Sequence, residues 1–102
     1  MGRRLNLQKE LKALLNNVMV YYQPPESIKL KYPCVVYSRN NGDSQYADNH
    51  NYIYRQSYNL LVIDPNPDSD IAEQILRHFP YSRYDRHYTA DNLNHDSLQL
   101  YY

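Results

Sequence analysis

The chain has 102 residues and no net charge, because eleven basic side chains balance eleven acidic ones. That length predicts a single domain, since domains usually take roughly 100 to 150 residues. The charge balance excludes the attraction that a basic domain has for nucleic acid or anionic lipid. No apolar run approaches the roughly 20 residues of a membrane helix, and the start lacks the apolar run of a secretory signal, so we expect no membrane partner.

Tyrosine dominates the aromatic residues, with thirteen Tyr, one Phe and no Trp. Its apolar ring and polar hydroxyl suit two settings: a surface that is buried on assembly, or a core whose hydroxyls reach solvent. The composition leaves both interpretations open. A domain of this size buries only about 60 to 65% of its unfolded surface, so assembly with further copies would add stability.

Leucines at helical spacing predict the first element. Leu7, Leu11, Leu14 and Leu15 share one face and charged residues fall between them, which predicts an amphipathic helix over about residues 4–17. The two asparagines at its end are a suitable stop.

Three extended segments are predicted next. Residues 18–22 are rich in strand formers and predict a short strand or an extended connector that ends before Pro24. Residues 28–32 alternate apolar and charged side chains, which predicts a half-exposed edge segment. A further strand is predicted over residues 34–39, after Pro33.

A long polar segment separates this strand from the clearest one. Residues 40–51 are dense in turn formers and predict a loop or hairpin tip, a length that is often functional. Residues 52–63 follow as a strand. Its second half, 60–63, is apolar on both faces, which predicts a central place in the sheet.

The remaining elements are a helix and a hairpin. Ile71, Ile75 and Phe79 recur every four residues and predict a second helix over about residues 69–79, with Asp68, Ser69 or Asp70 as its cap and Pro80 as its end. Residues 82–102 then predict a C-terminal hairpin. The whole order predicts an α+β domain: an antiparallel or mixed sheet of four to five strands with two helices packed on one face.

The lone cysteine, Cys34, begins the apolar run of its strand, so we expect a small buried hydrophobe. One cysteine forms no internal disulfide, so the chain is compatible with a reducing compartment. A nucleophilic role would need a histidine brought to it by folding.

The C-terminal hairpin concentrates ionisable side chains. A turn centred on Asp91 would set His87 opposite His95, with Asp85 on the same face. That is a candidate metal triad of the two-histidine, one-carboxylate type that suits iron or zinc, and it would make the chain a metal-binding module or enzyme. No glycine-rich phosphate loop or nucleophile motif accompanies it, so we expect no catalytic residues and no cofactor. The alternative is a polar hairpin that contacts other subunits.

Single-stranded nucleic acid is a further candidate ligand. Tyr52, Tyr54 and Tyr58 share one face of the predicted central strand and could stack on bases. The lack of a clustered basic groove argues against this interpretation.

Four motifs of the sequence belong together: 32–37 (YPCVVY), 45–49 (QYADN), 58–69 (YNLLVIDPNPDS) and 84–95 (YDRHYTADNLNH). In this order they resemble a family of small proteins from tailed bacteriophages, the tail terminator or tail completion proteins of the head and tail morphogenesis cluster. The likeness covers about residues 30 to 102. No catalytic or cofactor residue comes with this resemblance. Head-side adaptor and stopper proteins of the neck are also small, and they remain the alternative role within the same cluster.

The resemblance implies an α+β virion subunit that forms a hexameric ring, caps the tail tube and joins it to the head connector. Its implied partners are further copies of itself, tail tube or sheath proteins and connector proteins. DNA would pass through the lumen without sequence-specific recognition. The protein would be in the host cytoplasm during assembly and then in the neck of the virion. The candidate contact residues lie in the polar loop, the strand that follows it and the hairpin: Tyr46, Asp48, His50, Tyr52, Tyr54, Arg55, Arg83, Arg86 and Tyr88.

Overall fold

The strand that is apolar on both faces lies at the centre of the sheet. A computed structural model describes residues 2–40, 45–46 and 55–102, and these ranges contain two helices and six strands. In chain order they are α1 (Gly2–Leu14), β1 (Met19–Tyr22), β2 (Cys34–Arg39), β3 (Gln45–Tyr46), β4 (Arg55–Asp64), α2 (Ile71–His78), β5 (Ser82–Ala90) and β6 (Leu93–Tyr101).

The sheet has the strand order β1-β2-β4-β6-β5, and the two-residue β3 also pairs with β4. β1 runs parallel to β2, whereas β2 with β4, β4 with β6 and β5 with β6 are antiparallel. The fold is therefore α+β with a mixed sheet, as the sequence predicts. The predicted central place of residues 60–63 is also confirmed, because β4 has a long partner on each side.

Both helices pack on the same face of this sheet. Leu7 and Leu11 of α1 and Ile75 of α2 have no solvent-exposed surface. They form one core with alternate residues of the strands and with the ends of the helices: Leu15, Val20, Val35, Tyr37, Tyr58, Leu60, Val62, Ile71, Ala72, Phe79, Leu98 and Leu100. The intervening strand residues point to the opposite face, which we call the open face because neither helix packs on it.

Tyr37 and Tyr58 belong to the core, which is one of the two settings that the composition allows for tyrosine. Tyr37 is fully buried, and its hydroxyl donates to the Gln8 side-chain oxygen of α1. The ring of Tyr58 lies edge-on to it at 6.1 Å between centroids, and the ring of Tyr22 lies 4.9 Å from it. Burial raises the pKa of Tyr37, so its phenol stays protonated as a donor.

Both helices end earlier than predicted, and α1 also begins earlier, at Gly2. α1 ends at Leu14, and Asn17 then adopts a left-handed conformation (φ 67°) that reverses the chain, an arrangement asparagine tolerates. α2 begins at Ile71, whose amide N–H donates to the Ser69 hydroxyl. It ends before Phe79, which is extended because the following proline disfavours the helical conformation there.

The predicted edge segment at residues 28–32 is wrong as a strand. These residues form bends and irregular backbone between β1 and β2, with the Lys31 amide donating to the Tyr21 hydroxyl. Because β1 and β2 are parallel, the chain between them must return along the sheet as a crossover. β1 and β4 already pair with the two sides of β2. Residues 28–32 therefore have no free side of β2 to pair with, although their side chains alternate as in a strand.

The Glu10 carboxylate links both helices to the end of the chain. It accepts a hydrogen bond from the Tyr102 hydroxyl and lies 2.9 Å from His78 Nε2 at the end of α2. These two hydrogen bonds lower the pKa of Glu10. Burial together with the nearby carboxylate raises the pKa of Tyr102 to about 12. Neither of the two helices described is long and apolar enough to cross a membrane.

The packing of α1 on the sheet predicts a large effect of truncating its buried face. Leu11→Ala should lower the free energy of unfolding by about 2 to 5 kcal/mol, because it removes buried methyl groups and leaves a cavity. Urea unfolding followed by circular dichroism measures it. Leu5→Ala is the control, since Leu5 lies on the same helix and is 47% exposed. Its effect should stay within about 0.5 kcal/mol. Equal losses in the two variants would contradict this packing.

Candidate functional site

The turn of the C-terminal hairpin contains two residues, and it sets the register of β5 with β6 from Ala90 to Arg86. Asp91 and Asn92 have φ values of 54° and 63°, so both are left-handed. Two successive left-handed residues make the type of tight turn whose twist matches that of the two strands. Ala90 therefore pairs with Leu93, and the strands continue from that pair.

This register overturns the predicted pairing of the two histidines. His87 lies opposite Asp96, and His95 lies opposite Tyr88. A turn centred on Asp91 alone would have shifted the strands by one residue, which moves side chains to the other face. His87 and His95 consequently lie on opposite faces of the hairpin, so Asp85, His87 and His95 do not form a triad. No group of three potential metal ligands occurs among the residues described.

On the helix side of the hairpin, one carboxylate holds two side chains of β5. Asp96 Oδ1 accepts a hydrogen bond from the Tyr84 hydroxyl at 2.8 Å and lies 2.8 Å from His87 Nδ1. Partial burial and the hydrogen bond to this carboxylate raise the pKa of Tyr84 to about 12. These two contacts connect β5 to β6 outside the hydrophobic core.

On the open face, the hairpin carries a row of stacked and hydrogen-bonded side chains. The Tyr88 ring stacks on His95 with centroids 4.7 Å apart and planes 10° from parallel. The Arg86 guanidinium lies 5.2 Å from the Tyr88 centroid, within cation–π range. Arg83 Nε donates to Gln99 Oε1 at 2.9 Å. These contacts hold flat, polar groups at the surface of the sheet.

A bulge separates the two halves of this row. Tyr84 pairs with Leu98 and Arg86 with Ser97, so Asp85 is the extra residue of β5. Its carboxylate accepts a hydrogen bond from the Ser97 hydroxyl at 3.2 Å. Asp85 thus lies beside Arg86 on the open face, whereas in a regular strand the two would point to opposite faces.

A shallow depression of about 410 Å³ lies in the open face between β2 and the hairpin. Val36 and Leu61 are its half-buried apolar residues. Buried Leu60 and five polar residues complete the lining: Ser38, Asn59, Asp85, Tyr88 and Ser97. Apolar groups surrounded by polar ones are typical of a protein contact surface.

Of the nine candidate contact residues, the structure brings three together. Arg83, Arg86 and Tyr88 are exposed on β5 and point to the open face. The backbones of Tyr46 and Arg55 pair with each other. The other four candidates, Asp48, His50, Tyr52 and Tyr54, lie outside the described residues.

Tyr58 and Cys34 are both buried. Tyr58 is only 3% exposed, so it belongs to the core and offers no stacking platform for nucleic acid bases. The predicted burial of Cys34 is confirmed, and burial raises the pKa of its thiol to about 11. At that value the thiol is protonated at neutral pH, which does not favour a nucleophile.

Asp96 and Gln99 are site residues that sequence reasoning missed. The signal was present in Asp91-Asn92, because both residue types tolerate the left-handed conformation that a two-residue turn requires at each position. Counting outward from that turn pairs His87 with Asp96.

Compared with known proteins, the chain matches no family model and no curated protein.

The shared carboxylate predicts a measurable change in tyrosine ionisation. Asp96→Asn should lower the pKa of Tyr84 from about 12 towards its ordinary value of 10.0, because the negative charge that opposes ionisation is removed. NMR titration of ring-labelled tyrosine measures it. The pKa of Tyr102, which is raised by burial and by Glu10, should not change. An unchanged Tyr84 pKa would contradict the Asp96 contact.

Proposed function

We propose that the protein is a structural subunit of a bacteriophage virion, a tail terminator that forms a ring on the tail tube and joins it to the head connector. The observation that carries the proposal is the open face. It presents half-buried Val36 and Leu61 next to exposed Arg83, Arg86 and Tyr88. Arginine and tyrosine are enriched in protein interfaces relative to the rest of the protein surface.

The motifs that resemble tail terminator proteins add to this observation. Three of them coincide with elements that build the open face: 32–37 contributes β2, 58–69 contributes β4, and 84–95 contributes the hairpin. These strands also supply the core, so the resemblance covers the core together with the surface on which we propose that subunits meet.

A ring needs two different surfaces on each subunit, because head-to-tail contacts close into a cycle. We propose the open face as one of them. The helix layer offers the other, since α1 exposes Leu5, Lys9 and Lys12 on the opposite side of the domain. Burial of the open face in such a contact would also add stability to a small domain.

Native mass spectrometry of the purified chain tests ring formation. The wild-type protein should give a hexamer, visible as rings by negative-stain electron microscopy. Arg83→Glu should reduce the hexamer fraction about tenfold or more, because it places a carboxylate in the contact where the wild type has a guanidinium.

The control is Lys29→Glu, which makes the same kind of charge reversal at an exposed residue between β1 and β2, and β1 is the sheet edge opposite the strand that carries Arg83. It should leave the hexamer fraction near that of the wild type, and circular dichroism should show both variants folded. A wild-type chain that forms no ring, or rings that Arg83→Glu leaves intact, would contradict the proposal.

The role within the virion is tested in infected cells. Loss of a terminator should give overlong tails that do not join heads, because nothing stops the growth of the tube. Loss of an adaptor or stopper should give unjoined tails of normal length. Electron microscopy of lysates from a phage that lacks this gene distinguishes the two results.

A further inference from the structure

The two edges of the sheet are not equivalent. β1 forms one edge and has only four residues, and the Gln8 side chain of α1 donates to its Val20 carbonyl. β5 forms the other edge and has nine residues, all exposed from Arg83 to Ala90. An exposed edge strand offers unpaired N–H and C=O groups to another strand. Among the strands that the structure describes, β5 is therefore the open edge of the sheet.

The pairing of β5 with β6 shows which backbone groups point outward. In an antiparallel pair, hydrogen-bonded positions alternate with positions whose backbone groups face away. Tyr101 N–H donates to the Tyr81 carbonyl, and the two-residue turn closes on the Ala90–Leu93 pair. Tyr81 and Ala90 are therefore hydrogen-bonded to β6. Every second residue towards the bulge, beginning with the immediate neighbour of each, points its backbone N–H and C=O groups away from β6. These outward positions of β5 are Ser82, Tyr84, His87 and Thr89.

The spacing between these four positions is the same when β5 is read from either end. In a second copy running antiparallel, Ser82 would face Thr89, and Tyr84 would face His87, so all four outward positions meet at once. Shifting the strands by one or two residues leaves at least half of them without an outward-pointing partner. The backbone thus favours one register, centred between Asp85 and Arg86.

The side chains are complementary in the same register. Asp85 of each copy would lie opposite Arg86 of the other, and Arg83 would lie opposite Tyr88, all on the open face. Among the residues described, neither Asp85 nor Arg86 forms an ion pair within the subunit. Opposite charges directly across two strands attract, whereas shifting by one residue would set Asp85 against Asp85 or Arg86 against Arg86.

We propose that two copies of this chain pair through β5 about a two-fold axis between Asp85 and Arg86, which extends one sheet across both subunits. Bulges and charges normally protect an edge strand from pairing. Here the bulge of one copy meets the bulge of the other, and the charges alternate in sign, so the edge excludes other strands and accepts its own copy. In a two-fold contact residue i meets residue j and j meets i, which is the pattern that β5 presents.

This dimer is a different contact from the head-to-tail contact that closes a ring, and it does not rest on the proposed function. It would cover the open edge of subunits that are not yet assembled. A chain that forms rings but no two-fold dimer would overturn this inference and leave the proposed function standing.

Sedimentation equilibrium of the full chain, with Asp85→Arg and Arg86→Asp as single variants, tests the pairing. Below the concentration at which rings form, the wild type should dimerise. Each variant should dimerise about tenfold more weakly or worse, because both cross-strand pairs become repulsive. An equimolar mixture of the two variants should recover dimers at the wild-type affinity, since each carries the charge that the other lacks.

The mixture separates lost complementarity from lost folding, because a misfolded variant would not recover in it. Lys29→Glu, between β1 and β2, is the control and should dimerise like the wild type. A monomeric wild type would overturn the proposal. So would single variants that dimerise as tightly as the wild type, or a mixture that stays as weak as its components.

Discussion

The two left-handed residues Asp91 and Asn92 form the constraint on which the surface of this protein depends. They close the hairpin with a two-residue turn, so that β5 and β6 pair in one register. β6 pairs with β4 so that Leu98 and Leu100 point into the core, while His95, Ser97 and Gln99 point to the open face. The turn then decides which face each β5 side chain near it shares with β6, because a shift of one residue between β5 and β6 would move those side chains to the other face.

The same register organises the charged and aromatic side chains into two groups. Asp96 holds Tyr84 and His87 on the helix side, whereas Arg86, Tyr88 and His95 stack on the open face. The ionisable residues whose density in the sequence suggests a metal site thus lie on two different faces of the hairpin. The tyrosines are divided too: some complete the core, and others remain at the surface, where an interface would use them.

Much of the fold follows from the sequence because burial imposes periodicity. Both helices, the central strand and the one-sided packing are predicted, since each depends on local spacing of apolar residues. The failures depend on information that is not local. Residues 28–32 alternate like a strand, but the parallel pairing of β1 with β2 makes them part of a crossover. The partner of His87 changes if the turn is one residue longer or shorter. The bulge at Asp85 leaves no periodic signal in the sequence.

NMR of the labelled protein tests the register of the hairpin, on which both proposed contacts depend, most directly. In antiparallel strands the α-protons of residues that are not hydrogen-bonded to each other face across the pair at close range. We expect strong cross-strand contacts between the α-protons of His87 and Asp96, and of Thr89 and Asn94. A contact between the α-protons of His87 and His95 in their place would contradict the register and the surfaces built on it.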